Sequence, residues 1–199
     1  MRVFWAFAVF LASALPAAAL PFNVAEGKPV TITGEIGEIA NMCCGWGEPP
    51  TAPLSSITDG VFLPESTPWQ ENTVWWDEAH AGSVNNVIEI DLQGLYSVTQ
   101  VWLQADNNDA YSIYYRDALG AWIFRGQFGA VSGFGMTTRS AGIDPLLASG
   151  FRIDAAGGDA FYSVSEFQAI GEPIPEPATL LLFGSGLSAL AVRRRSRKQ

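Results

Sequence analysis

The sequence predicts an all-β fold of antiparallel strands, a sandwich or a barrel. Three observations carry this. Val87-Ile88-Glu89-Ile90-Asp91-Leu92 alternates apolar and acidic residues at period two, as a strand with one buried face does. Five further short runs rich in β-branched and aromatic residues come after it, separated by turn formers. No window in the middle of the chain shows a convincing apolar period of 3.6. Many short antiparallel strands suit a sandwich or barrel.

Taken in order, Met1 to Ala19 (MRVFWAFAVFLASALPAAA) has one arginine, an apolar stretch and an A-x-A exit at Ala17-Ala18-Ala19. That is the anatomy of a secretory signal peptide, and it places the domain beyond Ala19 outside the cytoplasm. About 155 residues lie between this leader and the C-terminal tail, the size of one domain. After VIEIDL come Ser97 to Ala105, Ala110 to Arg116, Gly120 to Arg125, Gly150 to Asp154 and Ser163 to Ile170. Turns are expected at QGL (93–95), DNND (106–109), DALG (117–120) and AAGGD (155–159). Gly171 to Pro175 reads as a linker, kept stretched by Pro173, Pro175 and Pro177.

The tail, PIPEPATLLLFGSGLSALAVRRRSRKQ, holds an apolar run of fifteen residues, Ala178 to Val192, closed by Arg193, Arg194, Arg195, Arg197 and Lys198. A helix of that length is about 22 Å long against a hydrocarbon core of about 30 Å. The basic block stays on the cytoplasmic side under the positive-inside rule. Gly184 and Gly186 weaken a permanent helix, although snorkelling arginines leave a plain anchor open. Pro175-Glu176-Pro177 stands directly before the run, extended because proline neither continues a helix nor permits one just before it. In this order the parts resemble the PEP-CTERM sorting signal (173–199: PEP 175–177, helix 178–192, basic tail 193–199). The resemblance implies processing at the PEP site by an exosortase, a membrane-embedded cysteine transpeptidase. It also implies a Gram-negative envelope, polysaccharide export, a transient inner-membrane tether and a product at the cell surface or in the extracellular matrix.

The net charge of −9 averages unlike segments. All twenty acids lie between Glu26 and Glu176, while Arg2 and five tail residues account for six of the eleven bases, so five bases against twenty acids leave the middle at −15. Such a surface repels nucleic acid and anionic membrane; it tolerates neutral sugars and attracts cations.

The middle segments resemble the galactose-binding-like β-sandwich of the discoidin and coagulation-factor C-type family. The match spans about 23–171 within a domain drawn at 20–172. Asn23 to Val30 (NVAEGKPV) looks like its opening strand, Ile57-Thr58-Asp59-Gly60 its Asp-Gly turn, and Val74-Trp75-Trp76 the buried tryptophan after it. IEIDLQGLYSVTQVWL resembles two paired strands joined by a short turn, and GFRIDAAGGDAFYSVSEFQAIG the closing section. The resemblance implies a structural Ca²⁺ held by the carboxylates of Asp59 and Glu166 and the carbonyls of Ser56 and Ser165. Hard Ca²⁺ takes six to eight oxygens, which carboxylates, carbonyls and water supply. Where the family places a hydroxyl ligand, this chain has Pro64, so Ser66 or Thr67 would have to substitute. In the plainer reading Asp59 caps its turn and Glu166 accepts backbone hydrogen bonds.

Of seven tryptophans, Trp5 leaves with the leader, alternation allows only one of Trp75 and Trp76 to face the core, and Trp122 reads as a core aromatic. Trp46 and Trp69, in loops, are the candidate sugar platforms, with His80, Asn85, Asn86, Asn107, Asn108 and Arg116 as possible donors. Adjacent Cys43 and Cys44 allow a strained vicinal ring, two free thiols or links between chains; Gly45 and Gly47 favour the ring by easing an unusual turn. No G-x-S-x-G or H-E-x-x-H motif is present. An exported carbohydrate-binding module linked to exopolysaccharide ranks first, a structural matrix protein without specific ligand second, and a polysaccharide hydrolase third.

Overall fold

The structure, a computed structural model, describes residues 20–34, 36–37, 51–78 and 86–174. In chain order its strands are β1 (Phe22–Asn23), β2 (Val30–Thr33), β3 (Val74–Asp77), β4 (Val87–Asp106), β5 (Ala110–Arg116), β6 (Trp122–Phe128), β7 (Met136–Ala156) and β8 (Phe161–Pro173). A 3₁₀ helix at Leu54–Thr58 precedes β3, and no α-helix occurs among the described residues. All strand pairings are antiparallel.

Two long strands organise the fold. The VIEIDL alternation does begin a strand, but that strand does not turn back at Gln93-Gly94-Leu95, where the sequence suggests a hairpin. Instead β4 runs on, and its register against β7 shifts between Asp91 and Tyr96. Gln93 takes φ +57°, and its N–H donates to Asp91 Oδ1 at 3.1 Å, so the turn chemistry produces a kink within the strand. Before the kink, β4 pairs with β2 and with Gly150–Asp154 of β7, which continues to β5 and then β6. After it, β4 pairs with the first half of β7 on one side and with β8 on the other; β1 and β3 both add to β8.

The two layers pack face to face. Phe151 of the first meets Phe167 of the second with ring centroids 5.1 Å apart, and the Tyr111 hydroxyl on β5 donates to the Ser163 carbonyl on β8 at 3.0 Å. Ile88, Ile90, Leu103, Phe151, Val164 and Phe167 are fully or almost fully buried between them. Along β8, Glu166 pairs with Gln104 and Val164 with Ala105, leaving Ser165 as an extra, bulged residue. A bulge resets the side-chain alternation. Val164 and Phe167 therefore both reach the core, while Glu166 reaches the Asp59 turn.

As alternation requires, only Trp76 faces the core, against Tyr162; Trp75, on the other face, is nonetheless 3% exposed because Trp69 stands edge-on across it with centroids 5.5 Å apart. Both faces are covered. Two expectations need correction. Trp122 is not a core residue: it is half-buried on the outer face, with the Arg116 guanidinium 5.6 Å above its ring. Arg116 lies across Gly150, where a Cβ would come within 3.2 Å of it, and donates to Asp91 at 2.6 Å. Gly171 to Pro173, expected as linker, belong to β8 and pair with Val98, Ser97 and Tyr96; a side chain at Gly171 would collide with the Ser97 carbonyl.

Residues 1–19, Cys43, Cys44, Trp46, His80, Asn85, Pro175, Glu176, Pro177, the apolar run 178–192 and the basic tail lie outside the described residues. Among the described residues no helix is long and apolar enough to cross a membrane.

Candidate functional site

The Asp59 turn and the closing strand come together. The 3₁₀ helix delivers Asp59, whose Oδ1 accepts the Val61 N–H at 2.9 Å, and the next residue, Gly60, has φ +83°. The Gly60 N–H donates to Glu166 Oε1 at 3.1 Å, and Gln168 Nε2 donates to the Gly60 carbonyl at 3.4 Å. Both local bonds foreseen in the plainer reading are therefore present. They do not complete the site. Glu166 is fully buried, yet its Oε2 has no hydrogen-bond partner, and neither does the buried Oγ of Ser56. Burial, reinforced by the facing Asp59 carboxylate, pushes Glu166 up to about 8. A buried, unsatisfied carboxylate oxygen facing the charge of a second carboxyl is a donor set that fits a hard cation.

Ser165 follows a different course from its neighbour: its hydroxyl donates to Gln104 Oε1 at 2.7 Å. Gln104, fully buried, also accepts the Leu63 N–H at 2.7 Å and donates to the Leu63 carbonyl at 2.8 Å, pinning the loop after Asp59 to β4. Thr67 Oγ1 donates to the Pro64 carbonyl at 2.7 Å and is engaged within its own turn.

A second feature is a polar groove of about 600 Å³ on the outer side of β4, β5 and β7. It is flanked by Glu78 and Asn86, the residues on either side of 79–85, and lined by Tyr114, Arg152, Asp154 and Tyr162. Each group is positioned. Glu78 Oε1 accepts the Asn86 N–H at 2.8 Å and the Trp76 indole N–H at 3.2 Å. Arg152 donates to Asp154 at 3.2 Å and sits 5.9 Å from the Tyr114 ring centroid. The Tyr162 hydroxyl donates to the Gly157 carbonyl at 3.2 Å, and burial raises it to about 12. Hydrogen-bonding groups around an aromatic ring can hold a polyhydroxylated ligand.

Of the sequence candidates, Asn86 lies in this groove and Asp59 meets Glu166. Arg116 is held by Asp91 and Ser149, and Asn107 donates to the carbonyls of Val131 and Gly133, so both serve the scaffold. Trp69 is half-buried, between Trp75 and Phe161, whose ring centroid lies 5.7 Å away. It is a packing residue as well as a candidate platform. Tyr114, Arg152 and Tyr162 were missed, because only the folding of β5, β7 and β8 brings them to one groove.

The fold is that of galactose-binding-like carbohydrate-binding modules. It is similar to the family 32 module of C. perfringens NanJ, solved with galactose (14% identity, 76% of this chain and 98% of that one, TM-score 0.52). It is also similar to the lectin domain of lectinolysin, solved with Lewis B antigen (12% identity, 76% and 97% covered, TM-score 0.52). A fucose binding module of Streptococcus pneumoniae matches at 14% identity, with 76% and 96% covered and TM-score 0.52. Comparison with curated proteins gave no match. Residues 173–195 match the PEP-CTERM protein-sorting motif, a mark of exported proteins sorted to the cell surface.

Glu166 makes stability depend on pH in a defined direction. The folded carboxyl holds its proton to about pH 8, whereas the unfolded one ionises near its ordinary 4.5, so the folded state binds more protons in between and loses stability as pH rises. In chelator, Glu166→Gln should therefore gain on the parent protein in melting temperature from pH 4.5 to 8. A constant difference across that range would show that Glu166 ionises normally.

Proposed function

We propose that this chain is an exported carbohydrate-binding module that recognises neutral sugar units of extracellular polysaccharide and is sorted by an exosortase at Pro175-Glu176-Pro177. The observation that carries the binding reading is the open groove of Tyr114, Arg152, Asp154 and Glu78 on a fold that its structural neighbours use to hold sugars. The acidic composition between leader and tail disfavours polyanions and is compatible with neutral glycans as ligands. Trp69, kept upright by Trp75, is proposed as a platform, and Trp46, which lies outside the described residues, as a second.

A structural Ca²⁺ fits the Asp59–Glu166 pair. It would neutralise the two facing carboxyls and tie the Asp-Gly turn to β8, with the main-chain carbonyls of Ser56 and Ser165 as further oxygen donors. Its part is to fix the loop, not to contact sugar.

Three measurements test this reading. Binding on a glycan array should be abolished by free sugar and fall at least tenfold in Arg152→Ala, with Tyr114→Ala and Trp69→Ala weaker than the parent; a fully folded protein that binds no glycan would leave the structural-matrix reading. At a hundredfold excess of Ca²⁺ over Kd, stability should rise by about 2.7 kcal/mol, and Asp59→Ala should lose that gain. An unchanged melting curve on Ca²⁺ addition would show the carboxyls to be hydrogen-bonding groups alone. Intact mass of the surface protein should correspond to a chain from about Leu20 to Pro175–Pro177; recovery of Arg193 to Arg197 in it would instead indicate a simple anchor.

A further inference from the structure

The least satisfied charged group outside the Asp59 site is Asp109. It closes the DNND turn between β4 and β5, is fully buried, and neither carboxylate oxygen has a hydrogen-bond partner. Asp106, three residues earlier, is 4% exposed; its Oδ1 accepts only the Asn107 N–H, at 2.8 Å. Between them the Asn108 amide oxygen is also buried without a partner. The AAGGD turn between β7 and β8 lies against this group. A Cβ at Gly158, whose φ is +56°, would fall on Asp109 Oδ1 and lie 2.8 Å from the Asn108 carbonyl, and Asp159 of the same turn adds its negative charge to both buried acids.

The nearby base, Arg139, offsets this only through its charge. The Arg139 guanidinium donates to the main-chain carbonyls of Ala105, Asp106, Asp109 and Gly129, and packs 5.3 Å from the Tyr111 ring centroid. Its N–H groups hold the turn by its backbone and leave the carboxylates bare. Burial first, then the charge of Asp106, lifts Asp109 to about 8, and burial lifts Asp106 to about 6. An unpaired buried charge is tolerated only when neutralised.

We propose that the DNND turn is a second site for a hard divalent cation, held by the carboxylates of Asp109 and Asp106 and the Asn108 amide oxygen, with the negative charge of Asp159 on the β7–β8 turn adding to its pull. Among the described residues no group of three acidic, histidine or cysteine side chains could hold a metal, so the two carboxylates and the Asn108 amide oxygen are completed by water. All side-chain donors are oxygens, the chemistry of Ca²⁺ rather than of Zn²⁺ or Cu²⁺. The site is separate from the Asp59–Glu166 pair and does not depend on it.

Calorimetric titration with CaCl2 and terbium luminescence, both on the Glu166→Gln background, test the proposal. The background should still bind one cation. Asp109→Asn, close in shape and neutral, should weaken it at least a hundredfold, and Asp159→Asn, an exposed change that cannot unfold the core, about tenfold. If Asp109→Asn fails to fold, Asp159→Asn and Asp106→Asn give the same reading. A background that binds no cation, or one whose affinity is unmoved by these changes, would overturn the proposal and leave Asp109 as a carboxyl held neutral by burial.

Discussion

The long, twice-interrupted ladder between β4 and β7 is the constraint on which the rest of the molecule depends. Both strands are long enough to serve two layers, and the kink at Gln93 changes their partners without breaking the chain. Backbone groups freed at the kink would be costly if buried; Asp91 takes up the Gln93 N–H, and the Asp91 N–H donates to Pro29. Once the ladder crosses between layers, the inward residues on each side must interdigitate, and Phe151 against Phe167 is where they do so. Because β5 and β8 hang on opposite halves of this ladder, Tyr111 can reach Ser163 across the core.

Much of this was legible in the sequence. Period-two alternation marked the start of β4, and Ala110–Arg116 coincides with β5. DNND, DALG and AAGGD separate strands as their turn chemistry requires. QGL misled because a positive φ beside a glycine serves a kink as well as a hairpin, and only the partner strand decides which. The first half of β7, MTTRSAGIDPLLAS, escaped notice: Gly142 and Pro145 interrupt its pattern, and its register against β4 shifts there. Its strand character comes from pairing, not from local preference.

The candidate sites divide in the same way. Asp59 and Glu166 lie more than a hundred residues apart, and family resemblance, rather than spacing, joined them; the fold brings them together through one bulged residue, Ser165. The groove needed the structure outright, since its groups come from β4, β5, β7, β8 and the end of β3. Buried carboxyls left unsatisfied at two separate turns show that the acidic composition is not solely a solvent-facing coat. Part of it is folded inward, where a cation or a proton must accompany it.

β8 ends at Pro173, two residues before the PEP tripeptide, and begins at Phe161 beside the groove. Were the groove to grip a polymer while the chain is restrained beyond residue 174, the pull would run lengthwise along this strand. Opposed pulls at the two ends of a strand load its lateral hydrogen bonds in shear, all together, whereas a pull at one corner opens them singly. The long ladder to β4, from Tyr96 to Ala105, would carry that load in parallel. Under the proposed function, then, a load between groove and C-terminus would fall on one strand and be shared by the hydrogen bonds along its length.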